Sequence, residues 1–332
     1  MKLLQSFMIN HPMVEDARPF EFKRRWLQKT QILWIVLLTY ALVGIGWLIL
    51  ALPISFPANW IMQSSPMQNY LDRLPEIWID FIFFFINLIL FTGGIYIVMA
   101  LYTRFVEKRS LKALGFQATN KGKKFISGCM FGLLSIFLVA ILMVGFTDST
   151  FSTEKLALFG WEALPMVLLL LIPWGVQATS EEVLFRGWLT PHLGKKYGLL
   201  IAVGVSSLLF SFAHGLNPGF NLLGFLNLTL YGVFTAFYML YEKSILGIAG
   251  HHIAWNWGQA NVLGILVSGD DPVPASILGL QREGNSLLTG GDFGTEGSII
   301  TTLALILSLT IIFILQHRRD VEGPNRIKGY TL

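Results

Sequence analysis

The sequence predicts an all-α, polytopic membrane protein of about eight transmembrane helices, each needing about 20 apolar residues to cross the hydrocarbon. Three observations predict it. The chain is 54% hydrophobic and only 13% charged, where soluble domains carry about 25% charged residues. Its apolar residues are gathered into long runs, and the mean hydropathy is +0.60. Lysine and arginine alternate between the links that join those runs, as loops on opposite sides of a membrane require.

The runs follow in order. The first three, 32–52, 77–102 and 125–146, are each long enough to span. Asp80 falls near the start of the second and is expected at the interface. The single cysteine, Cys129, lies in the third and is read as a small hydrophobe, with no intrachain disulfide available to it. The fourth run, 162–178, is short and is expected to continue through Glu181 and Glu182. The fifth, 199–213, is also short, and the sixth, seventh and eighth are 221–240, 245–266 and 298–315. Trp34, Trp60, Trp78 and Trp161 lie near the ends of these runs, as in an interfacial aromatic belt.

Of the 24 lysines and arginines, 21 fall in one alternate set of links and termini and 3 in the other. The cation-rich set belongs on the cytoplasmic side. Both termini are therefore expected in the cytoplasm, with the chain a multi-pass protein of the cell membrane, as in a bacterial inner membrane. The pI of 9.1 follows from this topology and gives no reason to invoke nucleic acid. Basic stretches such as Lys23-Arg24-Arg25 and Lys121 to Lys124 are ordinary cytoplasmic flanks near anionic headgroups. The first 31 residues are polar and charged, with no signal-peptide h-region, so the first span is expected to act as its own anchor.

Residues 1–124 carry two spans and a basic link, and 125–332 form the region that holds chemistry, with its motifs at 176–262. The link from Glu107 to Phe116 reads either as a short amphipathic helix on the inner leaflet or as a plain basic loop. The outer loop, 267–297, is rich in Gly, Ser, Asp and Pro; loops of this length serve as lids or as mobile connectors. Asp270-Asp271 within it is read as a solvated turn.

Charge directly after an apolar run is expensive in a membrane and marks a functional site by default. Glu182 and Arg186 are four apart and share a helix face, whereas Glu181 is turned about 100° from Glu182. That leaves Glu181 free to take a proton from water while Arg186 answers Glu182; an ordinary i,i+4 surface pair is the rival reading. His214 follows Phe210 by one helical turn, so the ring can pack beneath the imidazole. His252 and Asn256 are again four apart, suited either to holding an oxyanion or to interhelical hydrogen bonding, with His251 in support.

Glu-Glu-x-x-x-Arg, then Phe-x-x-x-His, then His-x-x-x-Asn, all on apolar helices, resembles the CPBP family: the CAAX proteases and bacteriocin-processing enzymes, also called the Abi family. The resemblance covers about residues 104–262, including the Glu-Lys-Arg-Ser-Leu segment. It implies an eight-helix fold with a cavity open to the membrane and an endopeptidase acting on membrane-associated protein or peptide substrates. It further implies that Glu181 activates water with help from His214. His252 and Asn256 would then stabilise the oxyanion, with Glu182 and Arg186 in support. No cofactor is expected. Zinc held by Glu181, His214 and His252 is the alternative, since three protein ligands plus water suit catalytic zinc; no H-E-x-x-H is present. The rivals from other classes are a proton-coupled transporter, where Glu and His form a relay, and a non-catalytic immunity or scaffold protein on the same fold.

Overall fold

The computed structural model describes residues 2–19, 30–152, 158–269 and 273–328. Lys23-Arg24-Arg25 and Asp270-Asp271 lie outside the described residues. The fold is all-α: ten principal helices and one two-residue strand pair account for most of the described chain. They are α1 Gln31–Met62, α2 Glu76–Leu101, α3 Lys121–Phe146, α4 Gly160–Leu169, α5 Leu171–Glu182, α6 Thr190–Tyr197, α7 Leu199–Ala213, α8 Leu222–Glu242, α9 Leu246–Trp257 and α10 Ile299–Lys328. Five segments within them are long and apolar enough to cross a membrane: Gln31–Ile54, Glu76–Val106, Lys121–Phe146, Leu222–Glu242 and Ile299–Val321. A bent pair, Gly160–Leu169 with Leu171–Tyr197, makes a sixth if taken as one broken span. Helix α7 is apolar but shorter, and α9 is only 12 residues long before it loosens into a π-wound turn at Gly258–Val262.

The fourth run differs most from a simple span. It breaks at Leu170 with a 46° bend. Pro173 explains the position, because its ring excludes the carbonyl four residues back and it has no N–H to give. Beyond the bend the helix does run on through the Glu pair, then widens into a π-wound stretch at Val183–Leu189 before α6. Pro191, also without an N–H, sits where that stretch returns to α-helix. The Thr190 hydroxyl bonds the Phe185 carbonyl at 2.8 Å, which helps satisfy the loosened turn. Single π turns of this kind recur at functional sites.

Helix α9 is held against α3 by close backbone approach. A Cβ on Gly128 would lie 1.9 Å from the Gly247 carbonyl oxygen, and one on Gly132 would lie 2.3 Å from that of His251. This is the small-xxx-small contact that membrane helices use when no hydrophobic force drives them together. It fixes the height of His251 and His252. The link at Glu107–Phe116 is neither the surface amphipathic helix nor the plain loop. It folds into a 3₁₀ turn at Leu111–Leu114, with Ser110 capping its start and Ala113 and Leu114 buried. The outer loop is tied down at both ends. Strand Leu280–Gln281 pairs antiparallel with Thr150–Phe151, and Arg282 donates to the carbonyls of Thr289 and Gly291.

Candidate active site

Helices α5, α7, α8 and α9 surround a cavity of about 910 Å³, closed on further sides by α1, α2 and the outer loop. Its ionisable lining is Asp80, Glu181, His214, His252 and Glu296, with Tyr231 beside them. Glu181, His214, His252 and Asn256 thus line one cavity, while Glu182 and Arg186 lie outside its lining, fully buried.

The two glutamates are separated by what they touch. Glu182 Oε1 accepts from His252 Nδ1 at 2.9 Å and lies 3.4 Å from Arg186 Nη1. The sequence reading assigned Glu182 to Arg186 alone; the shorter contact is to His252, because α9 brings that ring directly over the start of the π-wound turn. A carboxylate on Nδ1 fixes the tautomer with the proton there, so Nε2 faces the cavity with its lone pair. Glu181 is held differently. Its Oε1 accepts from Gln177 Nε2 at 2.6 Å, while its Oε2 makes no hydrogen bond among the described residues and faces His252 Nε2 at 3.9 Å.

Asn256 does not pair with His252. Its Nδ2 donates to Gln177 Oε1 at 3.0 Å, so a chain of amides runs Asn256 to Gln177 to Glu181. One Asn256 N–H is committed to this chain and the second is left for another acceptor. His214 ends α7, and its Nδ1 donates to the Phe210 carbonyl at 3.0 Å, leaving Nε2 as its free ring nitrogen. The Phe210 ring lies 5.0 Å from the His214 ring and 4.3 Å from the Arg186 guanidinium carbon. One aromatic side chain therefore orients a histidine and supports a buried cation, an attraction of the cation–π kind. His251 points away from the cavity into Phe131, Phe234 and Tyr231.

Glu181, His214 and His252 do not gather as ligands. Among the described residues no group of three His, Cys, Asp or Glu side chains is placed to hold a metal ion. The zinc alternative does not fit this arrangement of the described residues.

Gln177 was missed by sequence reasoning although the signal was present, since it precedes Glu181 by one helical turn. Glu296 was missed for a better reason, because it comes from the far end of the outer loop. There it accepts from the Ser268 backbone N–H at 2.6 Å, the Ser268 hydroxyl at 2.8 Å and Trp255 Nε1 at 3.3 Å. It pins the loop to α9 at the cavity rim.

This is a helical membrane protein with a cavity among its helices lined by carboxylates and histidines. Residues 162–258 match the family described as Type II CAAX prenyl endopeptidase Rce1-like, a stretch that contains every candidate residue from Gln177 to Asn256. The chain thus carries an Rce1-like segment, consistent with the CPBP family of proteases that its motifs resemble. Neither a curated protein nor a solved structure matched the chain.

Proposed function

We propose that the protein is an intramembrane endopeptidase that hydrolyses peptide bonds of membrane-associated proteins or peptides by carboxylate-activated water. One observation carries the proposal: Gln177 occupies one oxygen of Glu181, and the other faces His252 Nε2 across 3.9 Å at the cavity wall. In this reading Glu181 Oε2 takes a proton from water as the oxygen attacks the scissile carbonyl carbon. The proton then passes to the amine as the C–N bond breaks, a general base becoming a general acid. His214 Nε2 orients the water from the end of α7. His252, held through Nδ1–H by Glu182, takes a second proton on Nε2 from solvent before the water is activated, keeps it through the cycle and presents Nε2–H to the oxyanion, joined by the second N–H of Asn256. Arg186 and Phe210 keep the Glu182 carboxylate in place.

In this reading the protein works within the lipid bilayer of the cell membrane with both termini in the cytoplasm, an orientation supported by the distribution of cations in the sequence. The test compares membranes of cells producing the native chain with membranes of cells producing Glu181→Gln, by mapping new peptide termini. The expected result is a set of cleavages that disappears with Glu181→Gln while the protein is still made and inserted. Identical termini in the two samples would refute the proposal.

A further inference from the structure

Glu296 is a carboxylate of the cavity lining that the proposed hydrolysis leaves unused. It is only 6% exposed. All three of its partners are neutral donors: the Ser268 backbone N–H and hydroxyl on Oε2, and Trp255 Nε1 on Oε1. An ionised carboxylate accepts only, at about four positions. Three are filled here, and the open one is on Oε1. Among the described residues Glu296 makes no ion pair. Holding the outer loop explains the hydrogen bonds. It does not explain a charge left without a cation, since buried charge is costly unless paired.

The rest of the lining leaves that charge unanswered. Among the described residues that line the cavity there is no lysine or arginine, while Asp80 and Glu181 carry the same sign as Glu296. Arg186 lies outside the lining and pairs with Glu182. The walls include Phe84, Leu88, Trp174 and Leu305, and an apolar-walled cavity focuses such a field instead of screening it. A cation that enters is attracted, and an anion is repelled. Position follows from α9. Trp255 comes three residues after His252, about 4.5 Å at 1.5 Å per residue, and His252 Nε2 faces Glu181 Oε2 at 3.9 Å. Glu296 therefore sits about one helical turn along α9 from the proposed base. An extended chain advances about 3.3 Å per residue, which places Glu296 within about three residues of the bond to be cleaved.

We infer that Glu296 is a specificity-determining residue, which receives a lysine or arginine side chain lying within about three residues of the cleaved bond. The ammonium or guanidinium donates to the open position of Oε1 and supplies the missing counter-charge. An acidic side chain at the same place would face a carboxylate of its own sign and be rejected. Calling the occupant a substrate rests on the peptidase reading, whereas the preference for a cation rests on the lining alone.

The experiment measures charge preference without turnover. In a Cys129→Ser background, which removes the single native cysteine, Val267→Cys places a thiol in the lining beside Ser268. The purified protein in neutral detergent is treated with two methanethiosulfonates of similar size, one bearing an ethyltrimethylammonium and one an ethylsulfonate. The ratio of their rates is divided by the same ratio for free mercaptoethanol. The corrected ratio should favour the cation by about tenfold or more, as for a close charge pair. Glu296→Asp should keep it, and Glu296→Gln should lower it several-fold. A corrected ratio near one, or one that Glu296→Gln leaves unchanged, overturns the inference. So does a thiol that reacts with neither reagent, because a cavity closed to them cannot receive a lysine side chain. A second measurement needs no variant of Glu296: termini that depend on Glu181 should carry lysine or arginine within about three residues more often than the parent sequences do, and no enrichment overturns the inference. A failure of the peptidase reading would show as unchanged cleavage in Glu181→Gln and would leave the labelling ratio intact.

Discussion

Two assemblies in this molecule use the same residue types, and only one of them borders the cavity. In a buried cluster away from the cavity, Glu107 meets His192, Arg109 and Trp188; beside the cavity, Glu182 meets His252 and Arg186, with Glu181 alongside. Glu107 has both oxygens engaged by donors, and no part of that cluster lines the cavity. At the wall, Glu181 and Glu182 each keep Oε2 without a hydrogen bond among the described residues, but only Glu181 lines the cavity and turns that oxygen toward a histidine nitrogen. A carboxylate, an imidazole and a guanidinium in contact therefore do not identify an active site. An uncommitted oxygen beside a cavity is what sets the Glu181 cluster apart as the candidate.

The comparison can be broken in several ways, beginning with the largest expected effect. Glu181→Gln keeps the shape and removes the base, and cleavage should fall by about 10²–10⁴-fold, the usual contribution of general-base catalysis. Its thermal midpoint in detergent should stay near that of the native protein. Glu107→Ala should do the opposite. Removing one partner of a buried charged cluster costs about 3–5 kcal/mol, so the midpoint should drop sharply while the remaining folded molecules still cleave. A fully stable Glu107→Ala would show that the Glu107 cluster does not hold these segments together.

Gln177→Leu is expected to lie between these. A hydrogen bond to a charged group contributes about 1.5–3 kcal/mol, which corresponds to about tenfold to a hundredfold in kcat, with KM little changed because Gln177 acts on Glu181. Since Asn256 also holds Gln177, the double variant Gln177→Leu with Asn256→Ala should lose less than the product of the two single losses. Full multiplicativity would mean that the amide chain does not operate as a unit.

The smallest effect is a dependence on pH. Burial by itself raises the Glu107 carboxyl, but contacts from His192, Trp188 and Arg109 outweigh it and hold the group below its ordinary value of 4.5. A depressed carboxyl contributes its full stability above the unfolded value and loses it as pH falls through the folded one. The native midpoint should therefore decline more steeply below about pH 4.5 than that of Glu107→Gln. Parallel declines would remove Glu107 from the account.

The long apolar spans were legible from hydropathy alone, because 31–54, 76–106, 121–146, 222–242 and 299–321 combine length with few charges. The fourth run was legible only in part. Its continuation through the Glu pair was expected, but the bend at Leu170 was not, although Pro173 announces it. Helix α9 fell short of the expected span because it loosens into the π-wound turn after Trp257, while Gly128-x-x-x-Gly132 of α3 holds its earlier part close. Within the site, contacts at one-turn spacing could be read along the chain: Glu182 with Arg186, and Phe210 with His214. The pairing of Glu182 with His252 depends on how α5 packs on α9, which no local pattern encodes. Glu107 was passed over because its neighbours Lys108 and Arg109 made it resemble a solvated flank. In the fold those cations separate, with Arg109 turning inward to the carboxylate and Lys108 adopting a positive φ of 54° on the way out.

The most direct test of the central claim measures Glu181→Gln and Glu107→Gln side by side, recording cleavage per folded molecule and thermal midpoint for each. The account predicts a crossed pattern: Glu181→Gln loses cleavage at an unchanged midpoint, and Glu107→Gln loses midpoint while retaining cleavage. Native-level cleavage by a correctly folded Glu181→Gln would contradict it.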